Sequence, residues 1–281
     1  MGGGLCILTP GSGYPESLWA GDVARFAALF STDLAFHPWD SADLRNFDLI
    51  LPLLAWDYPK RANEWFGALD RWDAQRLPIA NAVETLRWNS DKSYLLQLAT
   101  AGVPIVPTVS VSALHDEALA EARAAFACDT LIAKPAISAG AMRTHRLGPN
   151  DPVPADSLGL PMLVQPLLPA IASEGEYSLF YFDGRFSHAI VKRPTDGDFR
   201  VQPQFGGQIE SVAPPRDALA VAEIALNACP APPLYARVDM LRDEAGGLRL
   251  MELELIEPQL FLDRAADNGA AFVEAVRRSV A

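Results

Sequence analysis

Apolar residues in the first third of the chain recur in two alternating rhythms. Residues 5–9 form a short apolar run, a strand candidate, and the turn residues Pro10, Gly11, Ser12 and Gly13 follow it. A glycine turn after a first strand suggests a dinucleotide loop, but Glu16 stands at the third glycine position, so the turn reads as a strand-to-helix connection lining a cleft. Trp19, Val23, Phe26 and Phe30 then recur at helical spacing, which buries one helix face. Residues 34–36 and 48–54 read as strands. Trp65, Leu69 and Trp72 share one stripe of a second helix over 62–75, an aromatic stripe that belongs to a core. Residues 78–80 supply a last short strand. Strand alternating with helix predicts a small parallel-sheet domain over 1–88.

From residue 89 the pattern changes. Asn89-Ser90-Asp91-Lys92 reads as a helix start, with Ser90 or Asp91 as cap and Tyr94, Leu95 and Leu98 following. Gly102 suits the position just past that helix. Residues 103–109 read as extended, 116–126 as a helix, and 130–134 as an apolar strand ending in lysine. The loop 135–144, PAISAGAMRT, has two readings. Small side chains let backbone N–H groups approach a phosphate, and the same composition suits an ordinary connector. Residues 147–161 read as loop and 162–168 as a strand. Asp183-Gly184 is a hairpin turn between strands 179–182 and 186–191. Residues 196–202 with Gly206-Gly207 form a polar connection, and 217–229 reads as a helix. The chain closes with a helix over 268–280 that turns Phe272, Val273 and Val276 inward.

The segment LMELELIEPQLFL, residues 250–262, reads as a buried strand carrying three acids. Glu252 and Glu254 are two apart and share a face, with Leu253 and Leu255 on the other. Asp239 lies on the preceding apolar run, and residues 243–247, DEAGG, form a hairpin turn between them. An antiparallel pair would set Asp239 beside Glu252 and Glu254. Buried carboxylates need a positive partner, either a divalent cation or a basic side chain; hard oxygen ligands in this arrangement suit Mg²⁺ carrying a nucleotide phosphate. A solvated acidic strand face is the alternative. Lys92, Lys134, Lys192, Arg193 and Arg200 stand at ends of predicted elements, where cations near a glycine loop can meet phosphate oxygens.

Composition narrows these readings. Half of the 281 residues are hydrophobic, enough for a sizeable core. A formal net charge of −12 argues against nucleic-acid and anionic-membrane surfaces. Cys6, Cys128 and Cys229 are far apart, without zinc spacing or a disulfide framework. The MGGG opening carries no basic-then-apolar leader, and no apolar run has the length of a span. A soluble, cytoplasmic protein is expected. No Walker loop occurs.

The order of these pieces resembles the ATP-grasp superfamily. The residues that carry the resemblance are NSDK (89–92) with LATAGVPIVPT (98–108), LIAKP (131–135) with the loop to Gly140, VQPL (164–167) with GEYS (175–178), Lys192-Arg193 through DFR (198–200) and Gly206-Gly207, RVD (237–239) and MELE (251–254). Within the superfamily the chain is most similar to the glutathione-synthetase and ribosomal-protein-S6-modifying group, and its ELELIEPQLFL segment resembles that of cycloserine-forming ligases. The resemblance implies an α/β ATP-grasp fold: a small N-terminal parallel domain, then two α+β lobes, 89–166 and 167–281, that clamp ATP. It implies that Lys92 and Lys134 contact phosphates, with Lys134 also near the adenine, and that Ser138, Ala139 and Gly140 close over the triphosphate. Gln165, Pro166 and Leu167 would form the adenine hinge and Glu176 would bind ribose. Asp239, Glu252 and Glu254 would hold Mg²⁺, two ions in all, with Mn²⁺ as an alternative. Many members carry Asn where Glu254 stands, a change of charge more than of geometry. Arg200, with Lys192 and Arg193, would act at the γ-phosphate and acyl phosphate.

The implied reaction joins a carboxylate to an amine or other nitrogen nucleophile through an acyl phosphate, releasing ADP and phosphate. The partners are small molecules, an amino-acid-like one among them; a homo-oligomer is open. A small-molecule kinase and a non-catalytic nucleotide-binding protein are the alternatives. His188 reads as a satisfied strand histidine or as a group facing the acceptor.

Overall fold

The structure, a computed structural model, describes residues 4–30, 34–41, 43–195 and 197–280. Met1-Gly2-Gly3 of the opening and Asp196 of the polar connection lie outside the described residues. The apolar run Leu5–Thr9 is strand β1. Helix α1 (Ala20–Phe30) leads to β2 (Leu34–Pro38) and β3 (Leu49–Leu51), which flank β1 in parallel in the order β2-β1-β3. Alternation along β1 sends Ile7 to the face that packs Phe26 and Phe30 of α1. Cys6 and Leu8 face Trp65, Leu69 and Trp72 of α2 (Ala62–Ala74), the expected stripe, each at most 2% exposed. Burial of each large apolar side chain contributes about 2–3 kcal/mol. Residues 78–80 add a single bridge, Ile50 to Ile79, in place of a strand.

Residues 83–89 form a helix that the pattern did not disclose, α3 (Val83–Asn89), so Asn89 ends one helix where a helix start was expected. Ser90 donates its hydroxyl to the Leu86 carbonyl of α3 at 2.7 Å. The side chain of Asp91 accepts from the Ser93 N–H at 2.8 Å and opens α4 (Tyr94–Thr100). Gly102 follows at φ 89°, the left-handed turn expected of it.

Strand β4 (Val109–Val111), α5 (Asp116–Phe126), β5 (Leu131–Pro135), β6 (His145–Leu147) and β7 (Met162–Pro166) build an antiparallel sheet in the order β4-β7-β5-β6. Leu119 and Ala122 of α5 cover one face against Leu131, Ala133 and Val164. Alternation turns Ile132, Lys134 and Gln165 to the other face.

The short α6 (Ala170–Ser173) leads into β8 (Glu176–Phe182) and β9 (Arg185–Arg193), joined at Asp183-Gly184 with both residues at positive φ. Then come β10 (Gln208–Ser211), α7 (Arg216–Asn227), β11 (Tyr235–Arg242), β12 (Leu248–Glu254) and α8 (Ala270–Ser279). The sheet is antiparallel, in the order β10-β9-β8-β11-β12. One face packs Leu179, Val238 and Met240 with α4 and α7. The other is divided: Phe180, Phe182, Ile190 and Tyr235 share a core with α1 and α8, and the remaining half carries charge.

Strand β12 stops at Glu254, short of the expected 262, and Glu257 lies beyond its end. A bulge opposite Asp239 and Met240 puts Met251 in excess, so Leu250 and Leu253 both reach the core although three apart. The free edge of β12 is covered by side chains. Asn89 donates to the Leu253 carbonyl at 2.7 Å and accepts from the Leu255 N–H at 2.9 Å. The Tyr94 hydroxyl bonds both the N–H and the carbonyl of Leu253. These contacts fix the strand that presents Glu252 and Glu254.

Candidate active site

A cleft of about 760 Å³ separates the polar face of the four-stranded sheet from the charged half of the five-stranded one, and residues of the N-terminal unit close one end. Register builds the charged floor. Glu176 faces Lys192 across β8 and β9, Ser178 faces Asp239, Asp239 faces Glu252, and Arg237 faces Glu254. Glu176 and Ser178, Arg237 and Asp239, and Glu252 and Glu254 are each two apart, so all six share one face.

Every cation on the floor is paired. Lys92 lies 3.2 Å from Glu252. Arg237 reaches Asp239 at 2.9 Å and also donates to Glu254. Lys192 pairs with Glu176 and stands 3.5 Å from Asp239. Burial opposes ionisation of Asp239 and Glu252, but Arg237 and Lys192 hold Asp239 below the usual carboxylate range, and Lys92 and Lys134 do the same for Glu252. Burial raises Glu176 despite Lys192. Glu254 is pushed up to about 7 by burial and by Glu252 and Asp239, against the pull of Arg237. Lys134 stands on the opposite wall, its ammonium 3.7 Å from the Met251 sulfur, with burial lowering its pKa.

The cleft brings together Lys92, Lys134, Ser138, Ala139, Gly140, Gln165, Pro166, Leu167, Glu176, Arg200, Glu252 and Glu254. Lys92 donates twice, its ammonium to the Ser138 carbonyl and its backbone N–H to the Ala136 carbonyl at 2.8 Å, so it fastens the glycine loop. Gln165 donates to Thr108 Oγ1 at 2.9 Å. Arg200 forks onto Asp198 at 2.8 and 3.1 Å and lies 3.9 Å over the Phe205 ring. Three expected residues are not on the lining. Asp239 and Lys192 belong to the floor but are covered by their ion-pair partners and buried. Arg193 turns to the sheet edge and pairs with Glu210 of β10 at 2.8 Å. His188 stacks on Phe180 at 4.2 Å and bonds the Leu260 carbonyl at 3.1 Å, the satisfied strand histidine of the two readings.

Among the described residues no group of three or more His, Cys, Asp and Glu side chains converges as a metal site; the Arg237 guanidinium stands between Asp239 and Glu254. The donors nevertheless suit Mg²⁺: Glu252 and Glu254 present hard carboxylate oxygens to the cleft from one face of β12. Arg237 and Ser178 were assigned no role from the sequence, although their two-residue spacing from Asp239 and Glu176 was a readable signal.

Two antiparallel sheets facing one another across such a cleft, after a small parallel sheet, give the chain the ATP-grasp fold, as its motifs implied. Among particular proteins, residues 10–81 match the family model for the N-terminal domain of D-cycloserine synthetase DcsG. The chain is 28% identical over 257 residues to the cycloserine biosynthesis protein DcsG of Streptomyces lavendulae, with 84% of each chain covered. The crystal structure of D-cycloserine synthetase DcsG superposes with a TM-score of 0.85 at 24% identity, covering 99% of this chain and 100% of that one. D-alanine–D-alanine ligase of Bacillus anthracis complexed with ATP gives 0.69 at 14% identity, covering 99% and 97%. The ATP-grasp ligase PsnB, complexed with minimal precursor, Mg and ADP, gives 0.64 at 15%, covering 98% and 97%. No helix among the described residues is long and apolar enough to cross a membrane.

Proposed function

We propose that the chain is an ATP- and Mg²⁺-dependent ligase that joins a carboxylate to an amine or other nitrogen nucleophile. The observation that carries this is that Lys92 and Lys134 line one cleft with Glu252 and Glu254, Lys92 3.2 Å from Glu252 and Lys134 on the opposite wall. Relatives named as ligases and as a cycloserine biosynthesis protein support it. The cleft suits a nucleotide and a small amino-acid-like substrate, and both reacting groups can belong to one molecule that closes a ring.

In the first step a substrate carboxylate oxygen bonds to the γ-phosphorus of ATP, the bond to the β–γ bridging oxygen breaks, and ADP leaves. In the second the nitrogen attacks the acyl carbon, phosphate leaves, and the nitrogen loses a proton. Lys92 and Lys134 hold phosphate oxygens, and Lys92 ties the 135–144 loop down over them. Gln165, Pro166 and Leu167 flank the adenine, and Glu176 meets the ribose. Glu252 and Glu254, backed by Asp239, would hold Mg²⁺, as two ions or with Mn²⁺ in their place, and the metal would supply neutralisation of the phosphate charge. Arg237 opposes protonation of the two flanking carboxylates, and Arg200 swings from Asp198 toward the transferred phosphoryl group. Catalysis rests on positioning and charge neutralisation.

The test is product analysis with candidate carboxylates, with and without amines. A ligase yields ADP, phosphate and an amide only when both groups are supplied, and hydroxylamine traps the acyl phosphate as a hydroxamate. A phosphorylated product that persists when an amine is present identifies a kinase instead.

A further inference from the structure

The cleft contains one acid that the ligase reading leaves unused. Glu257 lies three residues beyond Glu254, past the end of β12, half-buried on the cleft lining. Among the described residues no cation pairs with it. The cations nearby are engaged elsewhere: Lys92 with Glu252, Arg237 with Asp239 and Glu254, Lys192 with Glu176, and Lys60 over the Tyr14 ring at 5.4 Å. An uncompensated carboxylate facing a cleft is costly and favours a ligand that brings the missing charge.

The neighbours of Glu257 decide which charge fits. It sits where the acidic strand meets the N-terminal wall, which presents Trp56, Tyr58 and Lys60 to the same cleft. Burial, and after it the charge of Glu257, raises the pKa of the Tyr58 hydroxyl. A carboxylate beside aromatic rings suits an organic ammonium, which bonds the oxygen and lies against a ring face. A hydrated Mg²⁺ needs several oxygen ligands at close range and gains nothing from a ring. Burial and the charge of Glu254 push the Glu257 carboxyl up to about 8, with Lys92 opposing and Glu252 reinforcing. The Tyr235 hydroxyl donates to the carbonyl of Ile256, the residue before Glu257, at 2.7 Å. Ionised Glu257 is therefore disfavoured until a cation joins it.

We infer that Glu257 is the ammonium subsite of the cleft, holding the protonated amine of an amino-acid-like substrate against Trp56 and Tyr58. This deepens the ligase reading and rests on it: the subsite places a primary amine at the end of the cleft away from the adenine hinge. The substrate class is a small molecule with a free ammonium group, and its α-hydroxy and N-acetyl counterparts are excluded.

The test uses thermal unfolding of the full chain, first with Mg²⁺ and a non-hydrolysable ATP analogue. D- and L-alanine, D- and L-serine and 2,3-diaminopropionate are then added, each beside its α-hydroxy acid and N-acetyl counterparts. The expected result is a further rise in midpoint with at least one amine and none with its counterparts. Glu257→Gln should keep the nucleotide shift and weaken the amine by at least 10-fold in the concentration needed. The inference is overturned if no amine adds a shift, if the counterparts match the amines, or if Glu257→Gln retains the amine shift. Loss of the nucleotide shift in Glu257→Gln also overturns it, by moving Glu257 to the metal. A wild-type chain that Mg²⁺ and nucleotide do not stabilise contradicts the ligase reading itself and removes the inference with it.

Discussion

Replacing Arg237 with methionine tests the charged floor most sharply. The guanidinium bonds Asp239 at 3.1 and 2.9 Å and also donates to Glu254. Arg237 is 8% exposed and Asp239 1%. Methionine fills much of the volume and removes the charge, leaving two carboxylates with Lys192, 3.5 Å from Asp239, as partial compensation. Breaking a buried pair by removing one partner costs about 3–5 kcal/mol. The residual Lys192 contact favours the lower end, and at about 2–4 °C per kcal/mol the midpoint falls by roughly 6–12 °C. The loss should depend on pH. In the wild type Asp239 is held low, so its contribution is present at pH 7 and is lost as pH falls through its folded pKa. In Arg237→Met both carboxyls lose the cation that opposes their protonation. Asp239 then rises above its unfolded value and Glu254, already raised, rises further, so the native state binds more protons over that range. The deficit therefore shrinks as pH is lowered from 7 to 5. Urea denaturation at both pH values measures it. A variant within about 1 kcal/mol of wild type at pH 7, or a deficit equal at both pH values, would refute the reasoning.

Other substitutions separate nucleotide binding from folding. Lys134→Met should leave the nucleotide-free chain as stable as wild type or more so, because burial already disfavours the ammonium; in ATP-dependent turnover its KM for ATP should rise at least 10-fold, and an unchanged KM would remove Lys134 from the phosphate site. Asn89→Ala strips a donor and an acceptor from the edge of β12 and should cost about 2–4 kcal/mol in chemical denaturation; a cost under about 0.5 kcal/mol would show that water takes its place. Gly175→Ala meets the Lys192 carbonyl at 2.7 Å from a residue at φ 98°, so both stability and nucleotide affinity should fall, and retention of both on denaturation and titration would mean that the strand entry to Glu176 adjusts freely.

Much of this architecture was legible in the chain. The hairpin at 243–247 follows from apolar runs around DEAGG, and Asp243 closes it by accepting from the Gly247 N–H at 2.8 Å. The stripe of Trp65, Leu69 and Trp72 reports its own burial through helical spacing. Strands β6 and β10 were not legible, because both are short and largely solvent-facing edges without alternation. Helix α3 was missed because seven residues hold too little periodicity. The end of β12 at Glu254 depends on Asn89, 165 residues earlier in the chain, whose side chain takes the place of a neighbouring strand. The six floor residues could be placed on one face from two-residue spacing. Which acid meets which cation required register, and it gave Arg237 to Asp239 and Glu254 and turned Arg193 outward to Glu210.

Isothermal titration of ATP into the wild type and Glu252→Gln, each with and without Mg²⁺, tests the opposition of lysines and acids across the cleft. Tight binding should require Mg²⁺ in the wild type and weaken at least 10-fold in Glu252→Gln, with both proteins titrated at a temperature where each is folded. Equal affinity in the two proteins, or wild-type affinity indifferent to Mg²⁺, would contradict a magnesium–nucleotide site at this floor.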